Sequence, residues 1–493
     1  MRNNIKNKKK GETDLMSGPS GNDAGGMKKT LSIWNFFTIG FGAIIGTGWV
    51  LLVGDWMVIG GGPIAAMIAF AIGAVFLLPI GAVFGELTAA IPISGGIIEY
   101  VDRTYGRNVS YITGWFLALG NGILCPWEAI AISTLVSDMF GGLFPVLRAV
   151  KLYTIMGADV YLFPTVIALG FAVYVILLNF RGASAAAKLQ AFLTKALLAG
   201  MLLAMAISFV KGGPSNILPS FTQVEGPSTV TSANNMFAGI ISVLVMTPFF
   251  YAGFDTIPQQ AEEAAEGLDW NKFGKVISMA LLAAGGFYMI CIYSFGTIIP
   301  WTDFIKSTVP ALACLKNINM FLYVAMLIIA TLGPMGPMNS FYGATSRIML
   351  AMGRKGQLPD SFAVLDEKSG APKMANTVLA VLTIMGKNML VSLTNVSALA
   401  FIFSCTMVSF ACLKMRYTEP DLPRPYKVPG GKAGICMACL AGTIIIGLMV
   451  VPFSPAALKP VEWAIVVAWL VIGLGLSAVT RAKGNNKAAA AAK

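Results

Sequence analysis

Apolar residues run along this chain in long stretches, and short clusters of Lys, Arg, Asp, Gly and Pro separate one stretch from the next. A helix needs roughly 20 apolar residues to cross a hydrocarbon layer about 30 Å thick, and stretches of that order recur from end to end. They predict twelve membrane-spanning helices, at 34–53, 64–90, 111–140, 161–180, 189–210, 236–251 with its continuation, 276–299, 320–349, 377–393, 398–413, 435–451 and 463–479. The fold class expected is therefore an all-α polytopic membrane protein. A β-barrel is excluded, because its strands would alternate over about 10 residues instead of running apolar.

Two of the predicted spans carry breaks. The first contains Gly40-Phe41-Gly42-Ala43-Ile44-Ile45-Gly46-Thr47-Gly48, and each glycine in a helix interior costs roughly 1 kcal/mol relative to alanine. The sixth contains Pro248-Phe249-Phe250-Tyr251-Ala252-Gly253-Phe254-Asp255-Thr256-Ile257-Pro258, with a helix breaker on either side of an acid. Taken singly, these fit a Gly-rich packing face and a proline kink. Taken together, they occupy equivalent places in two five-span halves, the pattern of an inverted-repeat secondary transporter. Unwound backbone in hydrocarbon survives only where it lines a cavity. The exposed amides at such a break suit a carboxylate and the freed carbonyls suit an ammonium group, so the site matches a zwitterion.

Composition agrees with a lipid-solvated chain: 56% of the 493 residues are hydrophobic and 12% are charged, with a mean hydropathy of +0.74. The formal charge of +12 is spread over short loops and forms no continuous basic face, which argues against a nucleic-acid partner. Of the 35 Lys and Arg residues, 27 fall on the side of the N-terminus, 7 on the opposite side, and Lys195 lies inside a span. That bias predicts both termini in the cytoplasm of a cell (plasma) membrane protein. The first thirty residues lack the apolar core of a signal peptide and are expected to form a disordered basic tail. The absence of histidine removes His-based proton relays, metal sites and triads. Cys436 and Cys439 have a metal-like spacing but no second pair nearby, so they are read as small helix-packing residues. Neither a cofactor nor a metal is expected.

Several ordered segments closely resemble the amino acid-polyamine-organocation superfamily of transporters. They are Gly42-Ala43-Ile44-Ile45-Gly46-Thr47-Gly48, Gly85-Glu86-Leu87, Ser94-Gly95-Gly96, Gly253-Phe254-Asp255 followed by Glu262-Glu263, Thr345-Ser346-Arg347, Met352-Gly353-Arg354-Lys355-Gly356-Gln357-Leu358-Pro359 and Arg424-Pro425-Tyr426-Lys427-Val428-Pro429-Gly430. The resemblance implies a five-plus-five inverted-repeat (LeuT-like) core with discontinuous helices 1 and 6, plus two extra helices. In this sequence that gives an N-terminal tail at 1–33, a first repeat at 34–210, an extracellular loop at 211–235, a second repeat at 236–416, a loop with helices 11 and 12 at 417–480, and a C-terminal tail at 481–493. It further implies that Ile45, Gly46, Thr47 and Gly48 hold a substrate carboxylate. The carbonyls of Tyr251, Ala252 and Gly253 would receive the amine, and Phe254 would close over the substrate from outside, with ordinary packing as its alternative role. Trp49 stands where the family carries a small apolar residue, and Gly54-Asp55-Trp56 replaces a more apolar continuation.

Charges inside spans are functional candidates, since each costs at least a few kcal/mol. In sodium-independent members of the family a lysine matching Lys195 bridges toward the unwound first helix, which implies a coupling group; snorkelling to the interface is the alternative. Glu128, beside Trp127 in the third span, is a candidate to neutralise a cationic substrate, to accept a proton, or to pair internally. Asp255 is a substrate candidate that also suits the cap of the half-helix after it. Glu86 with Arg103, and Glu262 or Glu263 with Arg347 or Arg354, are candidate cytoplasmic gate pairs or else solvated loop charges.

These features point to a sodium-independent secondary transporter of amino acids, proton-coupled or exchanging, whose partners are a small amino acid or amine, protons and the bilayer. A polyamine or small-amine permease and a non-transporting nutrient receptor are the alternatives. An enzyme is not expected, because the sequence carries no metal cluster, nucleophile elbow or P-loop.

Overall fold

The computed structural model describes residues 29–93, 95–141, 144–155, 158–181, 183–226, 230–307, 309–366, 374 and 390–491. Among these, nine helices are long and apolar enough to cross a membrane, or ten when a pair bent by 44° is taken as one span. The bent pair is the predicted first span, which forms as α1 (Ile33–Ile44) and α2 (Gly48–Gly60). Ser32 starts α1 with a capping box: its hydroxyl accepts from the Asn35 amide while its own amide donates to the Asn35 side chain.

The next elements are α3 (Pro63–Ala90), the short amphipathic α4 (Gly96–Tyr105) and α5 (Arg107–Leu135). A hairpin of β1 (Lys151–Ile155) and β2 (Ala158–Tyr161) leads to α6 (Leu162–Phe180) and α7 (Ala183–Lys211). The sixth span is split further than its two prolines suggest, into α8 (Met236–Leu244), α9 (Thr247–Tyr251) and α10 (Thr256–Gln259). Then follow α11 (Trp270–Ile298), α12 (Trp301–Phe304), α13 (Pro310–Ile318), α14 (Met320–Leu332) and α15 (Met335–Arg354). The last three are α16 (Leu390–Thr418), α17 (Lys432–Val450) and α18 (Pro460–Ala491). The predicted eighth span is thus interrupted at Gly333-Pro334, and most of the predicted ninth lies outside the described residues.

Burial sorts these helices. The apolar window of α5 is 94% buried, against 11% for α18, so α5 is the central post and α18 faces lipid. Around α5 pack α15 and α16, while α3 runs along α11. The peripheral α18 is fastened to α5 by a reciprocal pair of indoles. Trp115 Nε1 donates to the Trp469 carbonyl and Trp469 Nε1 to the Trp115 carbonyl, each at 2.9 Å, with the rings stacked 4.3 Å apart. Each indole N–H, which would be costly to leave unpaired in hydrocarbon, thereby finds an acceptor.

Candidate functional site

The two broken spans meet at mid-height in the bundle. Between α1 and α2 the helical pattern lapses at residues 45–47, and the N–H groups of Gly46 and Thr47 find no acceptor among the described residues. The Thr47 hydroxyl is likewise buried without a partner. Opposite them the sixth span unwinds at 252–255, where Gly253 has φ +129° and a Cβ would stand 2.5 Å from the Ile44 amide nitrogen. Only glycine meets both demands at once: backbone on the positive-φ side and a crossing strand of chain in contact.

Tyr288, on α11, joins the two breaks. Its hydroxyl lies 3.0 Å from the Ile44 carbonyl, the last of α1, and 3.0 Å from the Phe250 carbonyl in α9. Asn121 of α5 reaches the same region and donates to Asp255 Oδ2 at 2.6 Å, while Asp255 Oδ1 accepts from the Gly253 amide at 3.1 Å. Asp255 therefore folds back to staple the unwound turn to α5, and no side-chain cap bond runs to the half-helix after it. Of the three carbonyls proposed for an amine, that of Gly253 is taken by the Thr256 amide and hydroxyl at 3.1 and 2.6 Å. The carbonyls of Tyr251 and Ala252 accept from no described residue.

Glu128 stands at the heart of this arrangement. Projecting from α5, it is 3% exposed; its Oε1 lies 2.9 Å from where a Gly46 Cβ would be, and its Oε2 has no hydrogen-bond partner among the described residues. A buried carboxyl with an unmatched oxygen is costly unless something arrives to match it. Internal pairing of that oxygen, one of the roles open from sequence, is not observed.

Toward the end of the bundle opposite the basic loops, aromatic rings close the site. Phe250 lies 3.3 Å from a Gly48 Cβ position and meets Trp56 edge to face at 4.7 Å; Trp49 packs against Phe287 and Phe295. The segment between α7 and α8 stitches down the end of α2, with the Thr222 amide donating to Gly61 O at 2.8 Å and the Ser232 hydroxyl to Val58 O at 2.7 Å. Phe254, expected as the outer lid, lies instead on the basic side of the break, edge-on between Phe84 and Phe401. The ring that faces Gly48 is Phe250, four residues and about one helical turn earlier.

At the basic end, ion pairs do the closing. Arg347 is joined to Glu263 at 2.5 Å with both side chains buried, and Arg354 to Glu262 at 3.1 Å. The Thr30 and Leu31 amides donate to Glu263 O, and Leu31 pairs with Ala264 as a parallel β-bridge. Lys355 reaches Glu99 at 2.5 Å and Asp102 at 2.9 Å, and Arg103 reaches Glu99 at 2.6 Å. Burial pushes the Glu99 carboxyl up, but hydrogen bonds and charge from Lys355 and Arg103 outweigh it and hold Glu99 below the usual carboxylate range.

Two further sequence-based placements need correction. Glu86 does not pair with Arg103. It is fully buried and holds Arg416 at 2.6 Å, Arg424 at 3.3 Å and the Val428 amide at 2.8 Å, tying α3 to the end of α16 and the loop before α17. Arg103 goes to Glu99 and Glu419 instead. Lys195 does not point at the unwound first helix; its side chain is exposed. On α7 the inward face is taken by Leu193, Thr194 and Leu197, with the Thr194 hydroxyl 3.5 Å from Thr38 O. The roughly 100° per residue of helical rotation then turns position 195 outward.

Sequence reasoning missed Tyr288, Asn121 and Phe250. Asn121 carries a usable signal, an amide inside an apolar span. A tyrosine among the many aromatics of α11 carries none, because its meaning lies in two carbonyls distant in sequence.

Comparison with known proteins identifies the family. Residues 31–475 match the family described as amino acid permease. The chain is 25% identical over 480 residues to the branched-chain amino acid permease BcaP of Bacillus subtilis, covering 95% of this chain and 96% of that protein. It is 27% identical over 425 residues to the aspartate-proton symporter of the same organism, covering 82% and 76%. It is 26% identical over 403 residues to the vacuolar cationic amino acid transporter 2 of Arabidopsis thaliana, covering 80% and 61%. With broken helices facing each other across a buried, partnerless carboxyl and this match along nearly its whole length, the chain belongs to the amino acid permease family of membrane transporters, within the amino acid-polyamine-organocation superfamily.

Proposed function

We propose that this permease moves its amino acid by alternating access and that Glu128 carries the proton that drives it. The observation behind the reading is the unmatched Glu128 Oε2 beside the open amides of Gly46 and Thr47. The amides and the Thr47 hydroxyl take the substrate carboxylate. The Tyr251 and Ala252 carbonyls, with Glu128 nearby, take its ammonium group. When the site is empty, a proton on Glu128 removes the cost of a bare charge in low dielectric.

The basic end is assigned to the cytoplasm, since it gathers 27 of the 35 Lys and Arg residues. The structure is then a closed state, with the Arg347–Glu263 pair shutting the cytoplasmic side and the Trp49, Trp56 and Phe250 rings shutting the outer one. Because Lys195 faces outward, coupling is assigned to Glu128 rather than to it.

Uptake into proteoliposomes, with a panel of labelled amino acids and amines and with proton and sodium gradients imposed separately, tests the reading. Saturable uptake of amino acids driven by the proton gradient is expected. Saturable binding without flux would identify a receptor, and flux that follows the sodium gradient would remove Glu128 from its role.

A further inference from the structure

The face of α7 that carries Lys195 borders a groove with no role in the site described above. The groove, about 510 Å³, runs between α6, α7 and the α14–α15 junction, and Ile167, Phe171, Tyr174, Phe192, Leu193 and Met335 are among its walls. It has the volume of a ligand pocket yet opens sideways, between helices that cross the apolar layer. Gly170 is exposed on one wall, and a Cβ there would meet nothing within 4 Å, so a side chain can be added at that point without a clash.

Three exposed cations stand on the two helices, α6 and α7, that wall this groove. Lys188, Phe192 and Lys195 follow one another at helical spacing on the exposed face of α7, and Arg181 is exposed at the end of α6. None of the three makes an ion pair with a described residue. Side chains on a helix lean toward its N-terminus. On α7 that direction is the basic end, so the Lys195 ammonium is carried toward Lys188 and Arg181. A lysine this far into an apolar span is costly until its ammonium meets an anion at headgroup depth.

We propose that this groove is a binding site for an anionic phospholipid of the leaflet at the basic end, with an acyl chain along Phe171, Phe192 and Leu193 and the phosphate held by Lys188, Lys195 and Arg181. A cationic rim on an acyl-sized apolar slot selects negative headgroups over zwitterionic ones. The groove's inner wall is one layer from the transport site: Leu197 and Thr47 both abut the Gly333 backbone, at 3.1 and 2.4 Å from its Cβ position. A bound lipid therefore presses α7 against the break between α1 and α2.

Native mass spectrometry of the delipidated full chain, titrated with phosphatidylglycerol or with phosphatidylethanolamine, tests this without any assumption about the transported substrate. Phosphatidylglycerol is expected to bind the wild type, and K188A/K195A to bind it about 30-fold more weakly. K188R/K195R keeps the affinity. Gly170→Leu, which adds a side chain to the wall of the groove without a clash, loses the lipid with both lysines intact. The proposal is overturned if phosphatidylethanolamine binds as tightly as phosphatidylglycerol, or if neither lysine loss nor groove filling changes binding. A disulfide-linked dimer formed by Phe192→Cys would overturn it as well, because the groove would then hold a second copy of the chain.

Discussion

The Tyr288 hydroxyl stands 3.0 Å from the Ile44 carbonyl, and the same hydroxyl is 3.0 Å from the Phe250 carbonyl. One side chain on an unbroken helix thus holds both discontinuous spans at the points where their own hydrogen bonding stops. Any rocking of the half-helices has to stretch or exchange these contacts.

Tyr288→Phe is expected to leave the fold intact, because the ring still packs against Trp56, Phe70 and Tyr251. It removes the single O–H that two buried carbonyls share, a loss of about 1–3 kcal/mol, so uptake per inserted molecule should fall on the order of 10-fold or more. Initial rates normalised to purified protein provide the check, and an unchanged rate would dismiss the bridge as incidental.

Glu128→Gln keeps the shape of the side chain and removes its charge. Under the proposed mechanism, an imposed proton gradient no longer accelerates uptake, while exchange of internal for external substrate persists. Uptake and exchange measured on the same vesicles separate the two. If E128Q keeps the wild-type response to the proton gradient, Glu128 is not the carrier.

The two ion pairs at the basic end should behave differently when broken. Arg347→Ala leaves Glu263 buried and unpaired, a loss of about 3–5 kcal/mol, and is expected to open the basic end. Arg354→Ala removes a more exposed pair worth at most about 1 kcal/mol. Labelling of Ile45→Cys by a charged thiol reagent reads this out: reactivity should rise many-fold with Arg347→Ala and change little with Arg354→Ala.

The Glu99 cluster is expected to be insensitive to physiological pH. Glu99 has a lowered folded-state pKa, so its contribution is present above the ordinary carboxylate value and disappears only as pH falls through the lowered one. For Lys355, burial lowers the pKa but Glu99 and Asp102 outweigh it, so the net shift is upward. Its contribution is present below the ordinary lysine value and lost only when pH rises through the raised one. The Tm difference between wild type and Glu99→Gln should therefore stay flat between roughly pH 5 and pH 9 and shrink in stronger acid. A difference that varies within that window would contradict the assignment.

Gly253→Ala tests the crossing of the breaks. The substitution combines a positive φ with a 2.5 Å clash on the Ile44 amide, and neither can relax without moving backbone. Loss of monodisperse protein, or of transport at normal yield, is expected. A fully active Gly253→Ala would mean that the two breaks do not touch in this way.

Most of the helices were legible because apolar run length reports membrane crossing directly, and the breaks at Gly46 and Gly253 because glycine and proline act on the backbone where they stand. Arg347 with Glu263 was legible as charges at span ends. What failed were statements about direction. Lys195 and Glu86 lie on the predicted elements, yet which way Lys195 turns depends on where Leu193, Thr194 and Leu197 pack. Glu86 finds Arg416 and Arg424 because α16 ends against α3, a tertiary fact with no local signature. Phe254 and Phe250 part for a similar reason: two aromatics four residues apart sit on opposite sides of an unwound turn.

The bridge between Leu31 and Ala264 has a bearing on biosynthesis. The stretch before α1 leaves the ribosome first, but the backbone it pairs with emerges more than two hundred residues later. Until then Thr30 and Leu31 have no acceptor at Glu263 O and the Ile44 carbonyl has no Tyr288. The first span is inserted early and seated late, so a nascent chain stopped before α11 holds apolar helices but not the bridge that joins the two breaks.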